Sequence, residues 1–325
     1  MPFYSIQVPS DYYKNERLDK YVSIVSNGMN RSKLKSGIVE ILVNGKKSKL
    51  SQKVKNNDQI DIQWEDNIPE NIDPENIPLD ILFENEDVTV VNKAQGMVTH
   101  PACGNWNGTL VNALLYHWGR KAINQIKDGS ADEVMTKRRP GIVHRLDKDT
   151  SGIIITAKNR DSEEWLQSQF KNRNLQKEYI CICFGRPKIK CGDIRTQIIR
   201  DPKNRHRFKA VTETKDGKYA RTLYSCISCY GNYSLMRVRI KTGRTHQIRV
   251  HMKYLGCPIL GDSIYNSEDK LFPKATLMLH SKKLKILLPN DSKLTEFNTK
   301  TPKRFLEVEK KLKSKYQKEI LNKTK

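Results

Sequence analysis

The sequence predicts an α+β protein in two parts, a mainly antiparallel mixed-sheet domain preceded by a small α/β module. Three observations carry this expectation. Short apolar runs recur at close spacing from residue 79 onward with few long helices between them; two helical patterns and a hairpin fill residues 16–63; and an acidic, proline-bearing run separates the two regions. A length of 325 residues accommodates two or three domains.

Within residues 1–63, the spacing of Leu18, Tyr21, Val22 and Val25 is helical, and Asn30-Arg31-Ser32-Lys33-Leu34-Lys35 begins a second helix that Gly37 ends. Ile38 to Val43 reads as a strand, Asn44-Gly45 as a hairpin turn, and Gln59 to Gln63 as an alternating strand. Residues 64–78 are expected to be a linker, since Pro69, Pro74 and Pro78 restrict their predecessors and deny the chain a helix. Residues 61–90 hold ten acidic side chains and no Lys or Arg, a charge that repels polyanions and suits a spacer.

A second domain, residues 79–300, opens with strands at 79–83 and 88–92. Further strands are expected at 141–143, 153–157, 178–184, 219–230 and 233–241. One helix runs from about Arg160 to Asn172 on a stripe of Trp165, Leu166 and Phe170, and another from about Thr245 to Gly256. The tail, residues 301–325, mixes Phe305, Leu306, Val308 and Leu312 with ten Lys and Arg counted from Lys300; it reads equally as an RNA-touching helix or a frayed end.

The 59 Lys and Arg against 36 Asp and Glu leave a formal charge of +23, which points to a polyanionic partner: RNA, DNA or an anionic membrane. No run of about 18 apolar residues spans a bilayer, and Met1-Pro2-Phe3-Tyr4 has neither a basic nor an apolar leader region, so a soluble cytoplasmic protein is expected. Seven irregularly spaced cysteines fit reduced thiols. Cys226 and Cys229 have CxxC spacing but lack a second ligand pair, and are read as strand thiols.

The most informative segment is His144-Arg145-Leu146-Asp147-Lys148-Asp149-Thr150-Ser151-Gly152. Apolar runs on both sides make it a polar loop that displays a cation and a carboxylate between rigid walls, as active sites are commonly built. A plain hairpin connection, with Asp149, Thr150 and Ser151 bonding their own backbone, has the same local look. The full string resembles the signature loop of the RluA-type RNA pseudouridine synthases. Other segments share the resemblance: Lys241-Thr242-Gly243-Arg244-Thr245-His246-Gln247, Gln176-Lys177-Glu178-Tyr179-Ile180, and Asn92-Lys93-Ala94-Gln95-Gly96, where Ala94 stands in place of a common proline. Residues 103–115 are most similar to the synthase D type, which acts on large-subunit ribosomal RNA. The N-terminal 60 or so residues resemble an S4 RNA-binding domain through the Arg-Leu-Asp opening, the Arg31–Lys35 helix and the Val-Asn-Gly-Lys turn.

The resemblance implies a pseudouridine synthase fold and a catalytic Asp147, with Arg244 as its guanidinium partner and Tyr179 as the aromatic platform for a flipped uracil. It implies that Arg145 fills the gap left by the flipped base, that Leu279 packs on the base, and that Arg31, Lys33 and Lys35 meet structured RNA. The isomerisation is redox-neutral and consumes nothing, so no cofactor or metal is expected, and no phosphate-binding Gly-rich signature stands in the sequence. The expected partner is RNA, in the first place large-subunit ribosomal RNA or a precursor particle, met by a monomer. Two rivals are transfer RNA as substrate, and a non-enzymatic RNA-binding or ribosome-assembly factor on the same fold. The intact Asp147, Tyr179 and Arg244 set speaks against the second.

Overall fold

The computed structural model describes residues 3–26, 31, 34, 38–64, 71–102, 104–120, 122–123, 140–204, 207–212, 216–266 and 269–323. The chain divides into two compact units, Met1–Pro69 and Glu70–Lys325.

The first unit holds β1 (Phe3–Gln7), α1 (Leu18–Val25), β2 (Ile38–Val43), β3 (Lys46–Lys47) and β4 (Gln59–Trp64). Its strands lie in the order β1-β4-β2-β3, each pair antiparallel. Asn44 and Gly45, with φ of 52° and 74°, make the tight β2–β3 turn that favours positive φ at both central residues. Strand alternation puts Ile60 and Ile62 in one core with Leu18, Tyr21 and Val22 of α1 and with Leu34. Arg31 and Leu34 are helical; Lys33 and Lys35, expected to contact RNA, lie outside the described residues.

The second unit contains β5 (Asn71–Ile72), β6 (Ile81–Glu84), β7 (Val88–Lys93), α2 (Leu110–His117), β8 (Ala122–Ile123), β9 (Ser151–Ala157), α3 (Arg160–Asn172), β10 (Gln176–Phe184), β11 (Cys191–Arg200), β12 (Phe208–Val211), β13 (Lys218–Tyr230), β14 (Tyr233–Ile240), α4 (Gln247–Tyr254), β15 (Leu279–Leu287), β16 (Leu294–Asn298) and α5 (Lys303–Lys323). Its main sheet runs β12-β11-β13-β14-β10-β15-β9-β7-β6, with β16 beside β15. Every pair is antiparallel except β9 and β15, so the sheet is mixed, as the sequence predicts. All seven residues of β9 are buried, in keeping with its unbroken apolar run. Where β9 meets β15, Gly152 has a φ of +113° and a Cβ there would lie 2.2 Å from the Ser281 carbonyl oxygen. Only glycine permits so close an approach. The strand that leaves the nonapeptide is thereby clamped at its first two residues.

Several expectations need correction. The run 141–143 is not a strand but a turn carrying one bridge, Ile142 to Thr156; Gly141 has a φ of +70°, which breaks the extended backbone. The expected linker, 64–78, ends early: β5 pairs with β8, and Ile72 is buried against Val111 and Leu115 of α2. Helix α2 was not foreseen; Thr109 and Asn112 cap its start reciprocally, and its short length hides any periodicity. Of the two readings left open for 301–325, a helix is the one found, at Lys303–Lys323, and Phe305, Val308 and Leu312 are buried in one core with Tyr179 and Leu279.

Candidate active site

The nonapeptide leads into β9, an interior strand of the sheet, and polar contacts with the loop at 93–99 fix its shape. Lys93 is 1 % exposed, and its Nζ donates to the carbonyls of Ala94 (2.8 Å), Met97 (2.7 Å) and Lys148 (3.1 Å). Three carbonyls use all three ammonium protons. Burial lowers the Lys93 pKa to about 8, although Asp149 and Asp147 pull it the other way. Thr99 Oγ1 donates to the Leu146 carbonyl at 2.9 Å, Gln95 Nε2 to that of Asp149 at 2.8 Å, and the Thr150 amide closes a turn onto the Asp147 carbonyl at 3.0 Å. His144 Nε2 accepts from the Ile155 amide at 3.0 Å while its ring stacks on Phe170, with centroids 4.5 Å apart. Burial first, and then the nearby Lys177 charge, lower the His144 pKa to about 3, so this imidazole is a neutral prop.

Asp147 projects from this frame into a cavity of about 470 Å³, with its side chain 23 % exposed. Arg249 Nη1 lies 3.5 Å from Asp147 Oδ2. The same guanidinium forks onto Asp262, its Nε and Nη2 each at 2.8 Å, and stands 5.2 Å over the Tyr265 ring. A fork held at its far end by a buried carboxylate cannot swing, so the free nitrogen stays aimed at Asp147. Burial opposes the Arg249 charge, but Asp262 and Asp147 outweigh it and raise its pKa. His246 Nε2 sits 4.0 Å from the same Asp147 oxygen, and its Nδ1 is 2.9 Å from the Tyr265 hydroxyl. Burial outweighs the pull of Asp147 and lowers the His246 pKa, so this contact is not an ion pair at neutral pH.

The floor of the cavity comes from β10 and β15. Tyr179 is 5 % exposed and hydrogen-bonded to Ser281; burial above all, with the Asp147 charge adding to it, raises its pKa and keeps the phenol protonated. Leu279, 3 % exposed, lies beside it. Gln247 shapes the turn into α4. Its Oε1 accepts from the Arg244 amide and Thr242 Oγ1, while its Nε2 donates to the Arg221 carbonyl and Thr222 Oγ1.

Residues 87–254, about half of the chain, match the family model described as RNA pseudouridylate synthase. The chain belongs to that family. The synthase is 44 % identical over 297 residues to the ribosomal large subunit pseudouridine synthase D of Borreliella burgdorferi, which covers 89 % of this chain and 87 % of that one. It is 44 % identical to an uncharacterized RNA pseudouridine synthase of Chlorobaculum parvum, over 77 % of this chain and 75 % of the relative. Among solved structures, the human RNA pseudouridylate synthase domain containing 1 shares the fold at a TM-score of 0.54 and 24 % identity, over 69 % of this chain and 84 % of that one.

The structure brings Asp147, Tyr179, Arg145, Arg244 and Leu279 of the synthase to one cavity. It does not make Arg244 the partner of Asp147. Arg244 is exposed and its Nε donates to the Tyr219 carbonyl at 3.0 Å; the guanidinium at the carboxylate belongs to Arg249, five residues on. One signal in the sequence marks Arg249: a cation in the first turn of a helix opposes the macrodipole and needs a carboxylate nearby. Arg31 is also tied up. Its Nη2 meets Asp19 Oδ2 at 2.6 Å, and with Arg17 it holds that fully buried carboxyl below the usual range, against the upward push of burial. A residue expected to touch RNA serves here as the partner of a buried carboxyl of α1.

Proposed function

We propose that this synthase converts uridine to pseudouridine in large-subunit ribosomal RNA, with Asp147 as the reacting carboxylate. The observation that carries the reading is the Asp147–Arg249–Asp262 chain beside the Tyr179 ring in one cavity. Arg249 holds the carboxylate charged and oriented, as a nucleophile or base on the ribose requires. A buried phenol ring offers uracil a face to stack on, and Leu279 packs beside it. A base inside folded RNA has to leave the stack to reach this floor, and Arg145, exposed in the nonapeptide two residues before Asp147, is suited to fill the gap. Arg244 is assigned to the phosphates of the RNA strand at the cavity rim. The choice of ribosomal RNA rests on the name and 44 % identity of the Borreliella burgdorferi relative.

Mapping pseudouridines in ribosomal and transfer RNA from cells with and without the gene tests the target; sites lost from transfer RNA alone would overturn it. Asp147→Asn is expected to abolish product while RNA binding stays within about twofold. Turnover above about one per cent of wild type in that variant would remove Asp147 from the chemistry.

A further inference from the structure

The same cavity contains a cation that the reading above leaves without a task. Lys177 stands two residues before Tyr179 on β10, on the same face of the strand, and lines the cavity with it. Among the described residues its ammonium has no hydrogen bond and no carboxylate; its neighbours are the Phe170 ring, 5.2 Å below it, and the neutral His144 stacked on that ring. The other cations of the cavity are placed differently. Arg145, Lys171, Arg173, Lys241 and Arg244 are exposed, where a phosphodiester backbone passes, whereas Arg249 is already committed to two carboxylates. Lys177 alone combines an apolar aromatic wall with an unused donor set.

We propose that Lys177 donates a hydrogen bond to a carbonyl oxygen of the flipped uracil and stabilises the base as it leaves the ribose. This rests on the pseudouridine synthase reading of the site. In the isomerisation the C1′–N1 bond breaks and its electron pair departs with the base, spreading from N1 onto O2 and O4. The ribose carbon is left electron-poor, next to the Asp147 carboxylate. The base then turns, C5 supplies the pair for the new C5–C1′ bond, the C5 proton is lost and N1 takes one up, so atoms and electrons balance with no other reagent. Lys177 keeps its protons throughout; its charge matters only while the uracil is anionic, and a donor aimed where charge develops accelerates the step it faces. Burial lowers the Lys177 pKa to about 8, which leaves it largely protonated at neutral pH and strengthens it as a donor. Tyr179 presents a ring face to the base and Lys177 a charge at its edge, two functions on one strand face.

Single-turnover rates and RNA affinities of wild type, Lys177→Met and Lys177→Arg test this, with 2-thiouridine and 4-thiouridine as alternative target nucleotides. Wild-type turnover on the uridine RNA is the control for the underlying function; its absence would refute the proposed substrate and with it the role of Lys177 toward that base, whereas a failure of the variants alone would overturn only Lys177. With turnover present, Lys177→Met is expected to slow the chemical step by about 100-fold, to change affinity less than threefold, and to be partly rescued by Lys177→Arg. One thio substitution should slow wild type by a similar factor and slow Lys177→Met no further, because each change removes the same contact. A normal rate in a folded Lys177→Met enzyme, a loss confined to affinity, or full additivity with both thio substrates would each overturn the assignment, the second by moving Lys177 to a phosphate.

Discussion

At the scale of single residues, Asp147 and Asp262 differ in what surrounds them although both meet Arg249. Asp147 is 23 % exposed and can be hydrated when its partner is gone; Asp262 is fully buried and cannot. Arg249→Ala is therefore expected to do two things that Asp147→Asn does not do together. It should lower turnover by removing the guanidinium that orients the carboxylate proposed to react, and it should destabilise the fold by about 3–5 kcal/mol by stranding a buried charge. Arg249→Lys keeps the charge but loses the fork, so most of the activity loss should persist. Urea denaturation of the three variants beside wild type checks this; an Arg249→Ala protein as stable as Asp147→Asn would show that the Ile264 and Tyr265 amides, which also donate to Asp262 Oδ1, suffice to hold that charge. The sequence made Asp147 legible because its loop combines special residues between apolar walls. It pointed to Arg244 where the structure has Arg249: both lie in one segment and both line the cavity, and the chain turns at His246, with φ of 55°, before Arg249 enters α4 and meets the carboxylate.

Elements were legible in proportion to how strongly a local pattern matched their surroundings. β9 is one apolar run, and α3 has Asn159 as its cap and Leu166 in its buried stripe, so both stand where the sequence places them. Strands β11 and β12 are half exposed and mix charged with apolar residues, which conceals them. α5 was ambiguous because its eight Lys and Arg hide three buried apolar residues that find their partners only in the tertiary fold. That helix also delivers Arg304, whose Nη2 reaches Ser151 Oγ at 2.6 Å; the same hydroxyl is 2.8 Å from His280 Nδ1, and His280 Nε2 is 2.7 Å from Thr299 Oγ1. Burial, with help from the Arg304 and Lys282 charges, lowers the His280 pKa to about 3. A histidine depressed below its unfolded value takes up a proton on unfolding between about pH 3 and 6.5, so stability should be full above that window and fall as pH drops through it. Unfolding free energy followed from pH 7 to pH 4 is expected to decline less steeply in His280→Gln than in wild type. Parallel declines in the two proteins would show that His280 contributes nothing to acid lability.

For the whole molecule, the charge surplus has a location. Residues 1–69 carry eleven Lys and Arg against eight Asp and Glu, so most of the +23 belongs to the second unit, although the sequence pattern had drawn attention to the basic helix of the first. With Arg31 paired to Asp19, the larger unit becomes the main electrostatic surface for a polyanion. At the cavity rim, Arg145, Lys171, Arg173, Lys241 and Arg244 are exposed together. If each meets one phosphate, counterion release from single-stranded RNA gives a slope of log K against log salt of about −3.5 from the rim alone, at roughly 0.7 per contact. Replacing Lys171 and Arg173 by Gln should then reduce the measured slope by about 1.4 and weaken binding alike for every RNA sequence, while the single-turnover rate at saturating RNA stays near wild type. In the proposed reading the two terms separate, because phosphate contacts position the strand and the chemistry is assigned to the cavity floor. A double variant with an unchanged salt slope would move the strand's path away from the end of α3 and make the Lys241–Arg244 side the track that RNA follows into the site.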